Sequence, residues 1–196
     1  MFILKQNLFK LIKAAMNLLK KLSLVSLFFT SILTINGQIK LPKLISDGMV
    51  LQRDTNVKIW GWASPNEHII IHFLDNEYKI SANEKGDWDL QLSNLKAGGP
   101  FTMKLVGKNS IKINNILIGD VWLCSGQSNM AYELKKSEKL YKIDIQNSSN
   151  DKIRHFFVPR IYDFKEAHKD VDSGKWVSAK PSTVGNFSAV AYFFCK

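Results

Sequence analysis

From Leu41 to about Asn115 the chain alternates short apolar runs with polar breaks. Residues 57–62, 68–74, 78–82, 88–92 and 101–106 are rich in β-branched and aromatic side chains. Turn formers bound them: Ala63-Ser64-Pro65-Asn66, Asn83-Glu84-Lys85-Gly86-Asp87 and Ala97-Gly98-Gly99-Pro100. Short strands at a spacing of roughly ten residues, with turn signals between them, predict an antiparallel β-sandwich of jelly-roll or immunoglobulin-like type. Within 88–92 the apolar Trp88, Leu90 and Leu92 alternate with Asp89 and Gln91, which gives the strand one buried and one solvated face.

After Asn115 the texture changes. Ile116 to Cys124 is almost continuously apolar, broken only by Gly119-Asp120, and predicts a strand buried on both faces. Met130, Leu134, Tyr141 and Ile145 follow at loosely helical spacing, a second buried strand is predicted over 153–158, and Pro159 closes it. A last helix is predicted from Asn186, its expected cap, with Phe187, Val190, Ala191 and Phe194 along one side. Strand, helix or loop, strand, loop, helix is the opening of a parallel α/β layer. Two strands and one helix do not cover both faces of such a sheet, so the expectation is the front part of a longer unit. The predicted class is β plus α/β.

The amino terminus changes the meaning of the charge. The formal net charge is +10, but Lys5, Lys10, Lys13, Lys20 and Lys21 precede an uncharged apolar run from Leu22 to Ile35, and no acid lies among residues 1–37. A basic segment followed by 14 apolar or neutral residues fits an export signal and is short for a membrane span. Residues 1–37 are therefore predicted to be a signal peptide, with Met16 an alternative start and an uncleaved anchor the alternative fate. The predicted product is periplasmic or extracellular, with no membrane association after cleavage. Residues 38–115 and 116–196 then form the β-sandwich and the α/β opening. Beyond Gly37 there are 22 basic and 17 acidic residues, intermixed with no basic stripe, which argues against nucleic acid as a partner. Cys124 and Cys195 are expected to be buried free thiols, a disulfide between them being the alternative.

The chemistry concentrates in Val121-Trp122-Leu123-Cys124-Ser125-Gly126-Gln127-Ser128-Asn129-Met130, where a strand runs into a Gly-x-Ser turn. A serine just past the carboxyl end of a parallel strand is presented at the mouth of the sheet, and a following helix aims its positive end at a developing oxyanion. The string closely resembles the first motif block of the sialate O-acetylesterase family of SGNH-type hydrolases. The similarity extends to Ser46-Asp47-Gly48-Met49-Val50-Leu51-Gln52-Arg53, to Val57-Lys58-Ile59-Trp60-Gly61-Trp62-Ala63, to Trp176 and to 187–194. The resemblance implies that Ser128 is the nucleophile, supported by Gly126, Gln127 and Asn129. It also implies an O-acetylated sugar as substrate, of sialic acid or of a plant or microbial glycan, with no cofactor or metal.

A serine hydroxyl needs a histidine base oriented by a further group. The Asp-x-x-His block through which the family supplies it does not occur here: the nearest spacings are Asp151 to His155 and Asp163 to His168, while His68 and His72 belong to the β region. The expectation is thus a truncated chain, inactive alone, of a carbohydrate O-acetylesterase. The alternative is a non-catalytic secreted β-sandwich that binds a glycan or partner through Trp60 or Trp62.

Overall fold

The computed structural model describes residues 37–159, 161–163 and 165–196, with Met16 and Lys20. The signal segment expected over 1–37 lies, but for Met16, Lys20 and Gly37, outside the described residues. Among the described residues there are nine strands: β1 (Val50–Gln52), β2 (Val57–Trp62), β3 (His68–Phe73), β4 (Asn76–Ser81), β5 (Asp87–Leu92), β6 (Gly98–Val106), β7 (Ser110–Gly119), β8 (Asn150–Phe156) and β9 (Trp176–Ala179). Helix α1 (Glu138–Gln146) lies before β8, and α2 (Ala189–Cys195) follows β9.

A mixed five-stranded sheet has the order β1-β7-β6-β3-β4, and β2 pairs with β5 in a separate two-stranded sheet. Only β1 runs parallel to its neighbour, through Val50 to Leu117 and Gln52 to Gly119; the other pairings are antiparallel. Period-two alternation explains how one core serves both sheets. In β3, Ile69, Ile71 and Phe73 point inward and His68 and His72 outward; Met103 and Leu105 of β6 and Ile113, Ile116 and Ile118 of β7 join them. From the smaller sheet come Ile59, Trp88 and Leu92. Gly61 is forced by close approach, because a β-carbon there would sit 2.3 Å from the Lys40 carbonyl oxygen and 2.7 Å from the Trp88 ring.

Glu67 is the charged residue buried beside this core. Its carboxylate accepts from Lys108 N–H at 2.7 Å and Ser64 N–H at 3.0 Å, and the Lys108 ammonium reaches the Ser64 hydroxyl at 3.0 Å. Burial pushes the Glu67 pKa upward, but the hydrogen bonds from Lys108 and Ser64 and the Lys108 charge outweigh it, and the net shift is downward.

The region after Gly119 departs from expectation. Ile116 and Ile118 are inward positions of β7, so the apolar run begins as the end of a strand that started at Ser110 and that pairs antiparallel with β6 and, over 117–119, parallel with β1. From Val121 to Cys124 the chain pairs with no strand among the described residues and is exposed, Leu123 by 92%. Neither half is buried on both faces as predicted, although 117–119 do pair parallel with β1. The second predicted strand exists as β8, half-buried from Ile153 to Phe156, but it pairs antiparallel with β9. Both cysteines are free, as expected, and both are exposed rather than buried, because the segment carrying Cys124 lacks a covering layer and Cys195 ends α2.

A second small core joins Leu134, Ala179, Val184, Phe187 and Tyr192. The predicted terminal helix is present, but its cap is Ser188, whose hydroxyl accepts from Ala191 N–H at 3.3 Å. Asn186 instead accepts from the Lys135 ammonium at 2.8 Å. Of the predicted apolar side, Phe187 is buried while Val190 and Phe194 are exposed; Tyr192 takes the inward place.

Candidate active site

The Ser46–Arg53 block does its structural work around the exit of β7. Asp47 Oδ1 accepts from Asn114 N–H at 2.6 Å, and Gly48, at φ 81°, takes a left-handed turn that favours glycine. Gly48 N–H donates to Asn114 O at 3.0 Å, and Met49 is buried. Gln52 Oε1 then accepts from Val121 N–H at 2.7 Å, Arg53 N–H donates to Gly119 O at 2.9 Å, and Arg53 Nε donates to Asp120 Oδ1 at 2.8 Å. Two consecutive residues of the block, through both side chains and one backbone N–H, thus grip the three residues that lead toward Ser128.

Ser128 opens a single 3₁₀ turn, Ser128–Ala131, rather than the longer helix that sequence pattern predicts. Gln127 before it is extended, and its carbonyl accepts from Met130 N–H at 3.0 Å. The turn is held from the other side by the start of α2. Ala189 N–H donates to Tyr132 O at 2.9 Å, Leu134 N–H to Phe187 O at 3.0 Å, and the Ser188 hydroxyl lies 3.7 Å from Met130 Sδ. Trp122 meets Phe194 edge-on with ring centroids 5.0 Å apart, though it remains 61% exposed.

Gly126 and Gln127 lead into this turn, Ser128 and Asn129 open it, and all four are exposed. No histidine is brought to them. Among the described residues none hydrogen-bonds to Ser128 Oγ. His68 Nδ1 lies 2.8 Å from Ser81 Oγ, and His72 lies 3.8 Å from Glu77, both on strands of the large sheet. His168 Nε2 lies 3.1 Å from Asp163 in the loop between β8 and β9. His155 stacks on Phe187 at 4.6 Å, and burial pushes its pKa down, which favours the neutral ring. The arrangement presents an exposed hydroxyl at a constrained turn, with no titratable group hydrogen-bonded to it among the described residues.

What sequence reasoning missed is the docking between regions. Arg154 of β8 donates to Gly48 O at 2.7 Å, to Asn115 O, and to Asn115 Oδ1 at 2.8 Å, while Trp176 Nε1 donates to Leu44 O at 2.8 Å. Asn115, inside β7, takes a left-handed φ of 58°, and its backbone and side-chain oxygens both meet the guanidinium; the polar pair Asn114-Asn115 breaking the apolar alternation was the one available signal.

No family profile matches the chain. The sialate O-acetylesterase of Mus musculus is 29% identical over 169 residues, covering 76% of this chain and 31% of that protein. That of Homo sapiens is 33% identical over 99 residues, covering 44% of this chain and 19% of that protein. The crystal structure of a carbohydrate acetylesterase from Xanthomonas citri superposes with a TM-score of 0.76 at 34% identity, over 80% of this chain and 36% of that one. The chain thus spans about a third of the length of the mouse relative. With the motif blocks, the strand-rich fold and these likenesses in agreement, the chain belongs to a sialate O-acetylesterase-like family.

Proposed function

We propose that this chain carries the nucleophile-bearing front portion of a secreted SGNH-type carbohydrate O-acetylesterase. In this reading residues 38–115, extended by the end of β7, are the β-sandwich, and the remainder opens the hydrolase domain. Ser128 Oγ attacks the carbonyl carbon of an acetyl ester on a sugar, its proton passes to a base, the sugar alcohol leaves, and water releases acetate from the acyl-serine. The base and the further oxyanion donors come from outside residues 37–196. The observation that carries the reading is the placement of Ser128: exposed, first in its turn, and reached by a lead-in that Gln52 and Arg53 fix. The esterase relatives support the reaction class, and their greater length supports the source of the base.

Ser128→Ala tests this in a form of the protein that extends over the length of its relatives. Acetate release should fall by at least about 10⁴-fold, while the melting temperature changes little, since an exposed turn accommodates alanine. Turnover retained in Ser128→Ala would overturn the assignment. The 196-residue chain alone should show no serine-dependent acetate release, and a fluorophosphonate should label its Ser128 far more slowly than in the extended form.

A further inference from the structure

The sheet formed by β2 and β5 has an outer face that is only partly covered: Trp60 packs in part against the large core, while Lys58 and Asp89 are exposed. Ile59 and Gly61 point inward, so Lys58, Trp60 and Trp62 lie on the opposite side of β2. The antiparallel register sets Trp60 directly across from Asp89 and Trp62 directly across from Asp87. Residues two apart on a strand are separated by roughly 7 Å, so the indoles form a row along the strand with a carboxylate beside each. Lys58 lies 3.6 Å from Asp89, and Lys169, reaching in from the β8–β9 loop, lies 3.6 Å from Asp87. An open groove of about 340 Å³ runs along this sheet, lined by Lys58, Trp60, Gly61, Trp62, Trp88 and both aspartates.

The chemistry of this face selects its occupant. Two half-buried indoles supply apolar, flat contact at little cost in side-chain entropy. The two lysines and two aspartates balance formally, so the rim favours neither an anion nor a cation. A hydrocarbon surface would strip water from two carboxylates without replacing their hydrogen bonds. A pyranose ring meets both demands: its C–H face lies on an indole while its hydroxyls donate to carboxylate and accept from ammonium. Two rings in a row fit consecutive residues of an equatorially linked chain. We propose that the Trp60–Trp62 face is a binding platform for a neutral oligosaccharide, separate from Ser128 and independent of the esterase reading.

Titration of the 196-residue chain with xylohexaose and cellohexaose, followed by tryptophan fluorescence and calorimetry, tests the proposal. Saturable binding with a millimolar dissociation constant to at least one of them is expected. Trp62→Ala should weaken it by about tenfold, the scale of one lost aromatic contact. Asp89→Asn, an exposed change that leaves the core untouched, should weaken it about threefold with an unaltered circular dichroism spectrum. Absence of saturable binding to either oligosaccharide at about 20 mM would overturn the proposal. So would binding that both variants leave unchanged, or tighter binding of free N-acetylneuraminic acid than of either neutral chain. None of these outcomes bears on acetate release, so the platform and the nucleophile stand or fall separately.

Discussion

The two halves of the described chain handle apolar surface in opposite ways. Up to Gly119, inward residues of two sheets close on one another, and Ile69, Ile71, Met103 and Leu105 are wholly or almost wholly inaccessible. After it, a five-residue buried cluster stands beside a row of uncovered side chains that includes Trp122, Leu123, Leu140, Ile143, Phe157, Tyr162 and Phe194. Fourteen of the seventeen exposed large hydrophobics among the described residues fall after residue 120. A soluble surface does not usually carry apolar side chains at that density. The difference teaches that the first region satisfies its own pattern, whereas the second carries a pattern written for contacts that these residues do not make.

The strongest way to break that comparison is one substitution in each region. Leu105→Ala removes a fully buried side chain from the larger core and should cost about 2–5 kcal/mol by urea unfolding. Leu123→Ser, at a 92% exposed position, should stay within about 0.5 kcal/mol in this chain. Comparable losses for the two would mean that the 121–124 segment is packed after all.

Glu67 sharpens the comparison from the polar side. Glu67→Ala leaves the Lys108 and Ser64 amides without their buried acceptor and should cost about 2–3 kcal/mol. Because the native carboxyl sits below its ordinary pKa, it contributes stability above the unfolded value near about 4.3 and loses it as pH falls through the folded value. The unfolding midpoint of Glu67→Gln should accordingly fall less steeply below about pH 4.3 than that of the parent.

Arg154→Ala probes the joint between the regions. Loss of hydrogen bonds to Gly48 and Asn115 should destabilise the β8–β9 hairpin by about 1–3 kcal/mol. Amide exchange should speed up in β8 and β9 and remain slow in β3 and β6; uniform acceleration would show that the two cores unfold as one unit.

The smallest effect belongs to His155. Burial lowers its pKa, so the unfolded chain takes up the proton first as pH drops below about 6.5, and stability falls with it. His155→Phe should remove that slope, measured as the change in melting temperature between about pH 7.5 and pH 5.5.

Sequence by itself determined five of the seven strands that build the large core. Runs at 57–62, 68–74, 78–82, 88–92 and 101–106 became β2 to β6 with bounds moved by at most three residues, since alternation and turn chemistry are local properties. It also determined the string around Ser128, and through it the family. Tertiary structure decided the rest. It ended β7 at Gly119 and left the remainder of the apolar run exposed, because an apolar run records a demand for burial and not the partner that meets it. It turned β8 against β9 rather than into a parallel sheet, and it moved the α2 cap from Asn186 to Ser188 because Asn186 is engaged by Lys135. It also joined Gln52 and Arg53 to the residues before Ser128 across more than sixty positions of sequence, a pairing that only the parallel alignment of β1 on β7 creates.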